Sequence, residues 1–390
     1  MNRDAVIVSA VRTAIGKQGG ALASVPAHVF GAEVMKEALK RANVEPRMVD
    51  DVIMGNVLSG GGNIARLTAL ETGLSIHLPG LTVDRQCGSG INAVNLAAQA
   101  IRAGEGDVYI AGGVESMSRA PYLMDRPEKP YSAKPPQFRK SRLSPKEIGD
   151  PPMGITAENL AGKYEVSREE QDAFALQSQK NMARAVEEGR FNEQIVPIHI
   201  PVRKGDDIEF KLDEHPRPQI TKEGLAKLSP AFLEGGSVTA GNSSGLNDAA
   251  SALVIMSREK AVELGIKPLA TIRAQAVAGV DPNYMGIGPV PAIRKVMEKS
   301  GLSLNEMGII EINEAFAAQV IACNRELDMN LAKVNVNGGA IAHGHPLGAT
   351  GAILITKAVH ELKRSAGRFA LITACIGGGQ GIATIIEREA

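Results

Sequence analysis

Two stretches of this chain can be laid on each other without a gap, and that repetition restricts the fold more than any other feature. The segment QCGSGINAVNLAAQAI, residues 86–101, aligns with GHPLGATGAILITKAV, residues 344–359, at an offset of 345 − 87 = 258. Gly90 then falls on Gly348, Leu96 on Leu354 and Ala100 on Ala358, while Cys87 falls on His345. The same offset aligns residues 38–56 with 296–314, and Gly106–Gly113 pairs with Gly367–Ala374 at 367 − 106 = 261. Further on, Ser251–Glu259 resembles Gly381–Glu389 at only 381 − 251 = 130, so about 131 extra residues lie inside the first copy, roughly 119 to 249. A thiol and an imidazole at equivalent places of a duplicated unit suggest a pair of catalytic groups related by a two-fold axis.

Each copy reads as strand, helix, strand, helix, strand and a last strand. Ala5–Ser9 is a continuous apolar run, as expected of a strand covered on both faces. Val34, Ala38, Leu39 and Ala42 mark a helical face. Val52–Met54, Leu81–Val83 and Val108–Ala111 are further strand candidates. The second copy repeats the pattern with Ala270–Ala274, a helix over Ala292–Lys299, Ile309–Ile312, Val334–Val336 and Ala370–Thr373. The expected architecture is α/β, two βαβαβ halves in five layers (α-β-α-β-α). Residues 1–118 with 249–266 form the first half, 119–248 an inserted loop domain, and 267–390 the second half. A structureless insertion of that length is improbable. Ser167 followed by Glu170 has the spacing of a capping box and predicts a helix there.

Lys+Arg and Asp+Glu both total 43, so no global field points to nucleic acid or a membrane surface. No apolar run reaches the roughly 18 residues of a membrane span. The start of the chain lacks the pattern of a secretory signal, and its end does not read as a peroxisomal address. The three cysteines, 87, 323 and 375, are too few and scattered for a disulfide framework. They fit a reducing compartment, and a cytoplasmic protein is the expectation.

The chemistry concentrates in short motifs. Cys87-Gly88-Ser89-Gly90 follows a predicted strand and opens a helix, where unpaired N–H groups and the helix dipole would favour thiolate. The expectation is therefore a depressed Cys87 pKa, although a buried structural cysteine explains the same residue taken alone. His345, in 335-NVNGGAIAHGHPLGATG-351, sits at the matching turn and should be neutral and able to take a proton from Cys87. His343-x-His345 has no evident third ligand, so no metal is expected. Cys375 ends a buried strand beside Gly377-Gly378-Gly379, where a second thiol suits proton transfer at a substrate carbon. Asn313, in Asn313-Glu314-Ala315-Phe316, offers an amide that can orient a water or donate to an oxyanion, or simply cap a helix. Cys323 lies at an apolar helical position and reads as core. The basic, Pro-rich stretch 119–152 suits solvated surface or the phosphates of a thioester carrier. Ser243-Ser244-Gly245 is a candidate pantetheine-contact loop.

Together CGSG, NEAF, GHPLGATG and CIGGG resemble the thiolase family, over essentially the whole chain and in the family's order. The resemblance implies a five-stranded sheet in each half and an assembly of dimers, often paired into tetramers. It implies that Cys87 is the acylated nucleophile, His345 the base that activates it and Cys375 the acid or base at the second substrate. Asn313, through a water, and His345 would form one oxyanion hole, and the N–H groups of Cys87 and Gly377 the other. Coenzyme A and acetyl-CoA enter as substrates, with no tightly bound cofactor. Arg217, Ser244 and Met153 match positions lining coenzyme A, with Phe232, Ala240, Ala315 and Phe316 beside the pantetheine or acyl group. The implied reaction is CoA-dependent cleavage of 3-ketoacyl-CoA and its reversal. Two positions depart from the family. Pro152-Met153-Gly154 stands where many acetoacetyl-forming members have His-Met-Gly, and His343 where an aliphatic residue is usual. A β-ketoacyl synthase-like enzyme would need two histidines, and none matches Asn313 or Cys375. A Cys–His hydrolase and a non-catalytic CoA-binding subunit remain as other readings of the thiol site.

Overall fold

The computed structural model describes residues 3–59, 62–127, 129, 131, 134–202 and 205–389. The first half begins with β1, Ala5–Thr13, in which every residue is buried. It continues with helix α1 (Ala27–Ala42), β2 (Asp51–Gly55), α2 (Ile64–Glu71), β3 (Gly80–Val83), α3 (Ser89–Ala103) and β4 (Val108–Ser116). After α4 (Met153–Lys163) and α5 (Arg168–Glu187), the chain re-enters the core as β5, Asn247–Ser257. The second half comprises β6 (Ala270–Gly279), α6 (Pro289–Ser300), β7 (Met307–Ile312), α7 (Ala317–Leu327), α8 (Leu347–Ser365), β8 (Phe369–Ile376) and β9 (Gln380–Arg388).

The strands run in the order β3-β2-β4-β5-β1-β6-β9-β8-β7. Read outward from the centre, β1-β5-β4-β2 is matched by β6-β9-β8-β7, the two-fold relation the repeat implies. A short antiparallel contact, Val6 to Thr271 and Ile7 to Ala270, joins the halves edge to edge. The second half does not complete a fifth strand. Val334–Val336 makes only a single bridge, Val334 to Ile310, after a 3-10 turn over Leu331–Lys333. The reason is Asn335, whose backbone turns to φ 44°. Its side chain takes over the pairing: Oδ1 accepts from Ile312 N–H and Nδ2 donates to Ile312 O, each at 2.9 Å.

Strand alternation sorts the cores. Val6, Val8 and Val11 of β1 face α1 and α2, while Ala5 and Ile7 face α3 and α8. That central layer packs Ile101, Leu354 and Ala358 between the inner faces of both sheets. Ile310, Ile312, Leu371 and Ile385 pack outward against α6 and α7. Each large side chain so buried is worth about 1.5–3 kcal/mol. Cys323 lies in this outer core, fully buried.

Helices α3 and α8 touch at their first turns because glycines let their backbones meet. A Cβ on Gly90 would stand 2.5 Å from Ala352 N, and one on Gly351 2.3 Å from Ile91 N. In the insertion, Ser167 Oγ accepts from Glu170 N–H at 3.2 Å while the Glu170 carboxylate accepts from Ser167 N–H at 2.8 Å, the capping box read from the spacing. Among the described residues, no helix is long and apolar enough to cross a membrane, and no cluster of three or more His, Cys, Asp or Glu could hold a metal ion.

Candidate active site

Cys87 and His345 each precede a central helix by two residues, so the crossing of α3 and α8 brings both turns to one place. Cys87 lies outside the first helical turn. Gly88 N–H bonds Arg85 O at 3.0 Å and Ser89 N–H bonds Gln86 O at 2.9 Å, so those donors are spent in the turn. Gln86 is held at φ 45°, a left-handed conformation unusual for a side-chain-bearing residue. Ser89 Oγ stabilises the turn by accepting from Arg85 N–H at 2.8 Å and donating to Gln86 O at 2.6 Å.

The depressed thiol pKa expected from the sequence is not found. Burial pushes the Cys87 thiol up to about 11, outweighing the N–H groups of Gly377 and of Cys87 itself, which favour thiolate; Asp84 and Glu115 add to the rise. Cys87 nonetheless keeps partial exposure, whereas Cys375 is sealed and its thiol is pushed well up by burial and by the neighbouring Cys87. Glu115 ties the first turn of α8 to the loop after β2. Its carboxylate accepts from Gly348 N–H at 2.9 Å in the first turn of α8, and from Val57, Leu58 and Ser59 N–H within 3.0 Å.

His345 is neutral, as expected, but through burial, which pulls its imidazole down to about 4. Its tautomer is fixed by a relay. Thr350 Oγ1 donates to Pro346 O at 2.8 Å, so it must accept from His345 Nδ1–H at 2.7 Å. The Nε2 lone pair is left facing the site, where the Asn313 amide donates to it at 3.3 Å. Asn313 Oδ1 is buried without a partner, an acceptor available to a bound water or substrate.

Cys375 belongs to a small apolar cluster with Ala315, Phe316, Met285, Val238 and Met153. Asn313 N–H bonds Thr373 O at 2.9 Å, which ties the Asn313 turn to the strand carrying Cys375. Of the residues matched to the coenzyme A site, Met153, Ala315 and Phe316 share this cluster, and Phe232 stacks edge-on against Phe316 at 5.9 Å. Ser244 N–H bonds Ala315 O at 3.0 Å. Ala240 and Arg217 are exposed and lie farther out, the latter held through its N–H by Gln179 Oε1 at 2.9 Å.

Sequence reasoning missed Thr350, Glu115 and Asn247. Glu115 was signalled by an acid ending an otherwise apolar run, VYIAGGVES. Thr350 and Asn247 gave no comparable signal, because their importance lies in contacts across the fold. Large cavities give no guide: one of about 420 Å³ is lined by Arg190 and His360, another of about 440 Å³ by Phe174 and Ile321, and neither is lined by Cys87.

A duplicated five-layer fold with a thiol from one half and a histidine and second thiol from the other defines a class of acyl-transferring enzymes. This chain belongs to the thiolase family: residues 5–259 match the thiolase N-terminal domain and 266–388 the thiolase C-terminal domain. It is 48% identical over 392 residues to an acetyl-CoA acetyltransferase of Pseudomonas aeruginosa, covering 99% of this chain and all of that one. It is also 48% identical over 396 residues to Beta-ketothiolase BktB of Cupriavidus necator, with both chains fully covered. Among solved structures, the Bacillus anthracis acetyl-CoA acetyltransferase superposes with a TM-score of 0.96 at 46% identity over the full length of both chains. Human mitochondrial 3-ketoacyl-CoA thiolase, solved in complex with CoA, superposes at 0.93 with 43% identity, covering all of this chain and 98% of that one.

Proposed function

We propose that the protein cleaves 3-ketoacyl-CoA with free coenzyme A, giving acetyl-CoA and a shortened acyl-CoA, and catalyses the reverse condensation of two acetyl-CoA molecules. One pair of observations supports the reading: the Gly377 N–H reaches the Cys87 sulfur, and the Thr350 relay leaves Nε2 as the proton-accepting nitrogen of His345. In the cleavage direction, the Cys87 proton passes to His345 Nε2 and the sulfur bonds to the 3-keto carbon. The C2–C3 bond then breaks, and the electron pair left on acetyl-CoA takes the Cys375 proton. A second coenzyme A thiol gives its proton to the Cys375 sulfur and attacks the acyl-sulfur carbonyl; the Cys87 sulfur leaves and recovers its proton from His345. Anionic charge on carbonyl oxygens is costly, so donors already in place contribute most. The N–H groups of Cys87 and Gly377 serve the acyl-enzyme, and His345 with an Asn313-bound water serves the enolate.

The coenzyme A arm fits over Met153, Phe232, Ala240, Ser244, Ala315 and Phe316, with Arg217 outermost toward its phosphates. Pro152 in place of a histidine favours tolerance of longer acyl chains. We also propose a homodimer or dimer of dimers, and a reducing cytoplasmic setting in keeping with three free thiols. The decisive measurement is thiolysis of 3-ketoacyl-CoA substrates from four to sixteen carbons, with mass spectrometry of the trapped acyl-enzyme. Activity on acetoacetyl-CoA and on longer chains is expected, with acetyl on Cys87 from the four-carbon substrate, the shortened acyl group from longer ones, and neither in Cys87→Ala. Turnover persisting in Cys87→Ala or His345→Ala would overturn the assignment.

A further inference from the structure

The peptide bond joining Gly344 to His345 is gripped at both of its polar atoms by side chains. Asn247 Oδ1 accepts from the His345 N–H at 2.9 Å, and the Asn247 amide donates onward to Gly16 O at 2.9 Å. On the other side His343 Nδ1 meets Gly344 O at 2.9 Å; since a carbonyl only accepts, Nδ1 carries the proton. His343 Nε2 is then a buried lone pair with no partner, an arrangement that costs free energy. Asn247 is fully buried. Gly344 accommodates the grip with φ 101°, where a Cβ would strike the Asn247 amide at 2.4 Å.

We propose that Asn247 and His343 are positioning residues that clamp this peptide plane and thereby aim the His345 ring. The clamp spans the fold: Gly16 follows β1, Asn247 opens the strand by which the insertion returns to the core, and His345 belongs to the second half. Rotation of that plane would carry Nε2 off the Asn313 amide that it meets at 3.3 Å, while leaving the coenzyme A arm untouched. This inference rests on the reading of His345 as base.

The test combines kinetics with nitrogen-15 spectra of histidine-labelled protein, in which His345→Ala assigns the His345 signals. Asn247→Ala should lower kcat for acetoacetyl-CoA thiolysis about tenfold to a hundredfold, the cost of a misplaced group. The KM for coenzyme A should stay within about twofold, because uniform binding is intact. His345 should lose its single Nδ1–H tautomer signature. His343→Leu should act in the same direction and His343→Asn, whose amide can replace the Nδ1 donor, should restore both readouts. If Asn247→Ala does not fold, the His343 pair decides. An unchanged His345 resonance in the folded variants, or His343→Asn no better than His343→Leu, overturns the clamp. Thiolysis surviving in His345→Ala would remove the proposed function instead, with the clamp still read from the resonance of the other variants.

Discussion

Burial moves the two groups assigned as nucleophile and base in opposite directions, the Cys87 thiol up to about 11 and the His345 imidazole down to about 4. At neutral pH Cys87 therefore rests as thiol and His345 as uncharged imidazole. The sign is testable. A raised thiol pKa means that the thiolate fraction keeps growing as pH rises, so iodoacetamide alkylation of Cys87 in the free protein should climb through the neutral range and toward pH 11. A plateau below pH 8 would contradict it. The Thr350 relay makes a second prediction. Thr350→Val leaves a buried Nδ1–H without an acceptor, costing about 1–3 kcal/mol in unfolding experiments and lowering kcat, whereas Thr350→Ser should preserve both. Cys87, His345, Cys375 and Asn313 stood out in the sequence because each lies in a short motif, three of them at or just past a strand and His345 just before a helix. Thr350, Glu115 and Asn247 were not, since what they do is set by atoms on other elements.

Among the elements, the crossing of α3 and α8 is tightly constrained by backbone. The three atoms nearest a Cβ on Gly90, Ala352 N, Gly348 O and Gly351 C, are all backbone, so no side chain can swing away. Gly90→Ala should destabilise the protein by about 1–3 kcal/mol, the usual cost of overpacking, and depress activity beyond that by displacing the turns that follow Gln86 and Gly344. Denaturant titration beside kcat measures both, and a variant with unaltered stability and turnover would sink the argument. Helices and strands on apolar runs were readable at this scale, because their burial is written in composition. Val334–Val336 was not. Its residues favour a strand, but Asn335 spends its side chain on Ile312 and replaces the ladder that the backbone would have made.

For the whole molecule, the sheet ends differently on its two sides. At the β3 edge, Leu81 is 45% exposed and Ile76, in the approach to the strand, is 74% exposed. An open strand edge bordered by apolar side chains pairs readily with another chain. A second copy meeting it is the simplest occupant, so light scattering should report a dimer or a larger even assembly. Leu81→Glu, which places charge on that edge, should shift the distribution toward monomer. A wild-type monomer at all concentrations would end this proposal. The duplication made the overall architecture predictable from one chain, since two copies of a half that cannot cover both faces of its sheet must share a helical layer.

The matched strand orders also bear on how such chemistry can arise. An axis of symmetry through a pocket forces identical groups onto both sides when the halves come from separate identical chains. Placing both halves on one polypeptide frees each side to mutate alone. Gly55, with no side chain, and Asn313 stand at corresponding points, as do Cys87 and His345. At these two matched positions the division between sulfur and imidazole thus depends on the halves differing: two copies of the first half would place a sulfur at both, and two copies of the second a ring at both.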